Sequence, residues 1–224
     1  MDKHKLAYYT TFCGSDHNAA NRIPPTPSHE YDCYFFTNNK NTFEKLKDTK
    51  WIPKFIDIEP TDDLVESSML SKVLKATPES DISLTKYNYL CYMDSKLTYV
   101  NDELVLNIIN TKFTNDICFV LREHEVHRGS VWVEYNDAIN YQERYRVQSD
   151  KYKTYIEKQV ENGLSDNVTQ PHYQTGFIVR DMTNPKTHKI DKIWHEHIQL
   201  CGIECQISFY FVKQLFQENI AKCW

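Results

Sequence analysis

The run YNYLCYM, residues 87–93, is apolar and aromatic and then stops on Asp94-Ser95-Lys96. Apolar residues at consecutive positions predict a strand buried on both faces. The same texture recurs in KLAYYTTF (5–12), YDCYFFTNN (31–39), WIPKFIDIEP (51–60), ICFVLREHE (117–125) and TGFIVRD (175–181), each predicted as a strand. Between them the period changes. TDDLVESSMLSKVLKATP carries apolar residues at 64, 65, 69, 70, 73 and 74, a helical stripe that Pro78 ends and that Asp62 and Asp63 open. TFEKLKDTK (42–50) predicts a short polar helix and NDELVLNIINTKF (101–113) a longer one.

Residues 131–148 and 150–164 predict charged helices, broken near Ser149-Asp150 and ended by Gly163. IDKIWHEHIQLCG (190–202) and ISFYFVKQLFQENIA (207–221) predict two more, parted near Gly202. NRIPPTPSHE (21–30) has prolines at 24, 25 and 27 and is predicted irregular. Strands alternate with helices through the first 125 residues, so the predicted fold is α/β, a mostly parallel sheet with helices on both faces.

Composition narrows the function classes. At 224 residues, with 41% hydrophobic and 25% charged positions, the chain suits one folded domain spanning 1–224. A net charge of −5 with both signs interspersed argues against a nucleic-acid partner. No segment approaches the roughly twenty apolar residues that span a bilayer, and the first residues lack a signal-peptide pattern. The expected setting is soluble and cytoplasmic, so the Asn167-Val168-Thr169 sequon carries little weight. Seven cysteines, an odd number and scattered, predict buried thiols rather than disulfides. Oligomeric state is not legible in these features.

The chemistry centres on the turn after the 87–93 strand. In open α/β sheets ligands sit beyond the carboxyl ends of strands. A carboxylate such as Asp94 there can hold a divalent cation or a ribose hydroxyl, and Lys96 can neutralise a phosphate. An isolated D-x-K tripeptide is otherwise a weak exposed ion pair.

The neighbouring segments carry a resemblance. YYTTFCGSDHN, CYFFTNN, ESSMLSKVLKATP, YMDSK, HEVHRGSVWVEYNDA, QTGFIVRD and WHEHIQLCGIECQISFYFV occur in an order that resembles GT-A-type glycosyltransferases. The nearest likeness is to the small glycosyltransferase domains of chlorella-virus capsid-glycosylating enzymes and a related plant and bacterial group with D-x-K. The match runs from about residue 5 to about residue 212. Two departures stand out: Lys96 occupies the second acidic position of the usual D-x-D, and Glu204-Cys205-Gln206 stands where the group has Arg-Asp-Gln.

The resemblance implies a transferase that uses a nucleotide-diphosphate sugar, uridine-linked, as donor and a glycan or glycoprotein as acceptor. It implies donor contacts from Thr10, Thr11, Phe12, Asn38, Lys72, Asp94, Ser95, Lys96, His127 and Arg128, and acceptor contacts from Glu134, His172 and Gln174. Glu204, Gln206 and Asp94 are the implied catalytic groups, with residues 1–125 as the donor half and 126–224 as the acceptor half. Asp94 is the implied ligand of a Mn²⁺ or Mg²⁺ ion, conditional on Lys96, which removes one anionic ligand and supplies a cation itself. An alternative reading is a non-catalytic nucleotide-sugar or glycan-binding domain of the same fold. A third, a zinc-stabilised module, draws on His195, His197, Cys201 and Cys205, although Gly202 interrupts their spacing.

Overall fold

The structure is a computed structural model that describes residues 5–17 and 23–223. Asn18 of the first loop motif and Asn21 and Arg22 of the proline-rich segment lie outside the described residues. In chain order the elements are β1 (Leu6–Thr11), β2 (Asp32–Thr37), α1 (Lys40–Leu46), β3 (Ile52–Phe55), α2 (Leu64–Ala76) and β4 (Tyr89–Met93). There follow α3 (Asp102–Thr111), β5 (Phe119–Ser130), α4 (Val131–Tyr141), α5 (Glu143–Arg146), α6 (Ser149–Glu161), β6 (Asn167–Asp181), α7 (Pro185–Cys201), α8 (Cys205–Leu215) and β7 (Ile220–Lys222).

One seven-stranded sheet has the order β3-β2-β1-β4-β6-β5-β7. Its first four strands are mutually parallel, β7 is parallel to β5, and β6 runs antiparallel between β4 and β5. The predicted mostly parallel α/β sheet is therefore present. Its consecutive apolar runs bury both faces, because alternate residues enter opposite layers. Tyr9, Leu90, Tyr92 and Ile178 pack beneath Leu74 of α2, Trp194 of α7 and Phe209 of α8. Tyr8, Cys91, Met93 and Val179 face Leu46 of α1 and Val105 and Ile108 of α3. A third cluster joins α6, α7 and α8 through Tyr152, Ile156, Cys201, Ile207 and Phe211. All seven cysteines are buried free thiols.

Helix starts follow the local sequence. Asn39, Asp63, Asn101, Ser130 and Asn184 cap α1, α2, α3, α4 and α7, each side chain accepting a backbone N–H of the first turn. Pro185 occupies the first turn of α7, and Gly202, at φ 112°, ends that helix in a conformation that disfavours side chains.

Three expectations are corrected. Ile220 and Ala221, read as the end of a helix, belong to β7 beside β5. β5 and β6 extend well beyond their apolar cores, through polar stretches that pair with each other. Besides the expected break near Ser149-Asp150, which falls at Val147-Gln148 between α5 and α6, a second break at Gln142 separates α4 from α5 by extended backbone. No helix among the described residues is long and apolar enough to cross a membrane.

Candidate active site

The carboxyl ends of β1 and β4 open into one cleft. Its upper part, about 260 Å³, is lined by Thr11, Phe12, Ser67, Ser68, Ser71, Tyr92, Ser95 and Arg144; its lower part, about 270 Å³, by Lys75, His127, Glu134, Asp137, Thr175, Glu204 and Gln206. Lys72, Asp94, Lys96, Gln142 and Tyr145 line both, so the two run together. Each approaches the roughly 300 Å³ at which small-molecule sites begin.

Asp94 sits where the cleft narrows. Its backbone N–H donates to Gly176 C=O at 2.8 Å, and the turn closes with Leu97 N–H on the Asp94 carbonyl at 2.9 Å. Its Oδ1 accepts from Tyr92 OH at 2.8 Å and from Lys75 Nζ at 3.5 Å. Burial opposes its charge, but Lys75, Lys72 and Lys96 outweigh it and hold the carboxyl at about 2. The strand thus ends on a carboxylate because three ammonium groups converge on it.

Gly176 makes room for this arrangement: a Cβ there would lie 2.8 Å from Asp94 Oδ2. Gly176→Ala is expected to cost about 1–3 kcal/mol through overpacking, read as a lower urea midpoint with an unchanged slope. An unchanged midpoint would show that Asp94 moves aside freely.

α2 supplies two lysines from one face. Lys72 and Lys75 are three residues apart, so they stand one above the other. Lys75 is only 2% exposed and also lies over the Tyr92 ring, 5.0 Å from its centroid. The charge on Lys72 is opposed by burial, yet Cys205, Asp94 and Glu204 together raise its proton affinity above the ordinary lysine range. On α5, Arg144 Nη1 donates to Ser68 Oγ at 3.2 Å and Nη2 to Tyr145 OH at 3.1 Å, which brings a fourth cation over the upper cleft.

The lower cleft adds carboxylates to the lysines that line it. Glu134, expected by default on a helix surface, is buried; its Oε2 meets His127 Nδ1 at 2.6 Å and its Oε1 accepts from Gln206 Nε2 at 2.6 Å. His127 also meets Asp137 Oδ2 at 2.5 Å through Nε2. The hydrogen bond to Glu134 raises the His127 pKa although burial lowers it, so the ring is held as an imidazolium between two carboxylates. Burial pushes Glu134 up, but His127 and His172 hold it at about 2. Glu204 caps α8, its Oε1 accepting Gln206 N–H at 3.0 Å. Burial and the Glu134 charge push it up to about 6, against Lys72 and Lys75. Two nearby carboxylates pushed in opposite directions are a mark of acid–base chemistry.

Of the residues expected at the donor side, Thr11, Phe12, Lys72, Asp94, Ser95 and Lys96 line the upper cleft and His127 the lower. Thr10 is fully buried with its hydroxyl unpartnered, and Asn38 is buried with Oδ1 on Gly14 N–H at 2.9 Å, so both lie behind the cleft wall. Arg128 is exposed and lines neither part. Of the acceptor set, Glu134, Glu204 and Gln206 line the lower cleft. His172 is buried beside them, its Nε2 at 3.2 Å from Gly129 C=O, and lines a separate small cavity with Tyr173 and Tyr210. Gln174 precedes Thr175, which lines the cleft, and therefore falls on the opposite face of β6.

Three places offer metal-ligating side chains. At Asp94 one carboxylate oxygen already receives Tyr92 OH and Lys75 Nζ, and the charges felt there are those of Lys75, Lys72 and Lys96, a setting poor in anionic ligands for a divalent cation. His124, His127 and Glu134 offer ligand atoms within 4.8 Å of one another. However, the two imidazoles stack at 3.8 Å with planes 9° apart, so their in-plane lone pairs run in parallel layers and do not converge. His124 Nδ1 also accepts backbone N–H groups of Val126 and His127, at 3.2 and 2.9 Å. The trio therefore does not fit a shared ion. The proposed zinc set is dispersed: His197 pairs with Tyr155 OH at 2.6 Å, His195 with Gln199 at 3.1 Å, and Cys205 with Thr175 at 3.2 Å.

Sequence reading missed Lys75, Arg144, Asp137 and Gly176. Lys75 was visible as the position one helical turn after Lys72; the others follow from tertiary contacts that no local pattern announces.

No family model matches the chain, and no curated protein matches it. Among solved structures, mouse xyloside xylosyltransferase 1 without ligand is similar over 97% of this chain and 83% of its own, at 12% identity and a TM-score of 0.48. The bifunctional glycosyltransferase WbbM, also in its apo form, is similar over 99% of this chain and 39% of its own, at 7% identity and a TM-score of 0.48. Neither description names a chlorella-virus or D-x-K protein, and the α/β class of this chain stands on its own sheet.

Proposed function

We propose that the chain is a glycosyltransferase that moves a hexose or deoxyhexose from a uridine-linked nucleoside-diphosphate donor to a hydroxyl of a glycan or glycoprotein. The observation that carries this reading is the polarity of the cleft: cations gather at the ends of β1 and β4, and Glu204 beside Glu134 closes the other end. Residues 1–125 would hold most of the donor and residues 126–224 the acceptor side.

In the reaction, the diphosphate lies among Lys72, Lys96 and Arg144, and Thr11 and Phe12 border the nucleoside. Asp94, which pairs with Lys75 at 3.5 Å, meets the ribose. The acceptor hydroxyl stands between Glu204 and the anomeric carbon. Glu204 takes its proton as the new C–O bond forms, the old bond to phosphate breaks, and the electron pair leaves on the diphosphate. The cations stabilise that departing charge, which is where such sites derive most of their acceleration. Gln206 bridges Glu134 and Glu204, through its side chain to one and its backbone to the other, and sets their separation.

A thermal-shift panel of nucleosides, monophosphates, diphosphates and nucleotide sugars tests the donor. Uridine diphosphate at about 100 times its Kd is expected to add about 2.7 kcal/mol of stability, with uridine alone giving almost none. A panel in which no nucleotide raises the midpoint would falsify the reading.

A further inference from the structure

The crowding of cations around Asp94 has a chemical meaning of its own. A lone carboxylate that receives Tyr92 OH and Lys75 Nζ on the same oxygen, with its other oxygen against Gly176, offers a divalent cation a single anionic group that is already engaged. Lys75 is buried, and its ammonium group pairs with Asp94 at 3.5 Å while Glu204 also feels its charge, so Asp94 is the acid that holds it in contact. Asp94 itself is partly open, with 29% of its side chain accessible. An anion entering from the upper cleft can therefore reach the same amines.

We infer that Lys72, Lys75, Lys96 and Arg144 form a metal-free receptor for pyrophosphate, in which Asp94 is the resident counter-ion that an incoming diphosphate displaces. This rests on the proposed donor reading, which it deepens: Lys75, buried beneath the carboxylate, takes the part that a divalent ion would otherwise have. Four cations match the charge of a diphosphate without a metal, and the dry position of Lys75 strengthens its share, while Lys72 and Arg144 are half-buried and Lys96 is exposed. A counter-ion role and a metal-ligand role for Asp94 predict opposite signs. Removing a metal ligand weakens anion binding, whereas removing a resident counter-ion strengthens it.

Calorimetric titration with inorganic pyrophosphate in excess chelator, repeated with Mn²⁺ after correction for the metal–pyrophosphate complex, separates the two. The expected result is binding in chelator within about twofold of that in Mn²⁺. Asp94→Asn is expected to tighten it by about three- to tenfold, since one opposing charge is removed at close range. Lys75→Met, a near-isosteric change, is expected to weaken it by at least about tenfold, with Lys75→Arg recovering most of the loss. Arg144→Gln, on a half-exposed helix, is expected to weaken it several-fold and guards against misfolding of the buried variant. Binding that appears only with Mn²⁺, or that weakens in Asp94→Asn, overturns the inference. Because pyrophosphate carries no nucleoside, a blank nucleotide panel alongside these results removes the uridine donor and leaves the receptor standing.

Discussion

Glu204→Gln is expected to lower turnover by about 10²–10⁴-fold, the usual contribution of a positioned general base, while leaving diphosphate binding within about twofold of wild type. Glutamine keeps an oxygen able to accept the Gln206 N–H, so the cap on α8 survives and the loss reports on proton transfer. The pH profile carries the sign. Glu204 is raised to about 6 by burial and by Glu134, and only its ionised form can accept a proton. Rate therefore climbs as pH rises through about 6 and is flat above. In Glu134→Gln the repelling charge is gone and the rising limb moves to lower pH, a displacement that loss of packing alone would not produce. Release of nucleoside diphosphate from the donor identified by thermal shift, measured from pH 4.5 to 8, checks both. Turnover of Glu204→Gln within threefold of wild type sinks the assignment.

Asp191→Ala is expected to be the most destabilising single change in the sheet's interior. Arg180 on β6 is fully buried; its Nε donates to Asp191 Oδ1 at 2.9 Å, Nη1 to Tyr9 OH at 2.9 Å and Nη2 to the Lys75 carbonyl at 2.6 Å. Stripping the carboxyl group leaves a buried guanidinium without its hydrogen-bond partner and, above about pH 7 where Asp191 is ionised, without its charge partner, which costs about 3–5 kcal/mol there. At this chain length that lowers the melting midpoint by roughly 10 °C. The same guanidinium satisfies a carbonyl in the last turn of α2, so the variant also loosens the backbone that carries Lys75. Burial pushes Asp191 up to about 7 against the pull of Arg180, with Glu79 adding to the rise. The folded chain thus binds a proton at Asp191 that the unfolded chain has already released. This contribution to stability is full below about pH 4 and is lost as pH rises through about 7. Scanning calorimetry of both proteins at pH 4.5 and 7.5 tests the pair: a midpoint shift under about 3 °C at both pH values contradicts it.

Much of the fold is legible because its strands are buried on both faces. Runs such as YYTTF and YLCYM have no helical period to compete with, and the caps Asn39, Asp63 and Asn184 mark helix starts by residue type alone. What escaped detection was set by partners distant in sequence. NVTQPHYQ reads as polar loop, with Pro171 in its middle, yet it extends β6 because it pairs with the equally polar end of β5. Ile220 and Ala221 look like a helix tail until they meet β5. In the site, Asp94 and Lys96 could be named from a strand end, and Lys72 and Glu204 from the resemblance. Burial of Lys75 and Glu134 could not, because a charged residue on a helical pattern defaults to solvent and only the assembled sheet removes that option.

β6 also decides when the molecule can close. It alone joins the block β3-β2-β1-β4 to the block β5-β7, and it is the last long strand to be synthesised. Until a nascent chain has left the ribosome beyond residue 181, β4 keeps an open lateral edge and Asp94 lacks the backbone carbonyl that anchors it. Translation therefore lays down β1 to β5 before the strand that joins them, and the cleft is complete only once α8 has followed with Glu204 and Gln206.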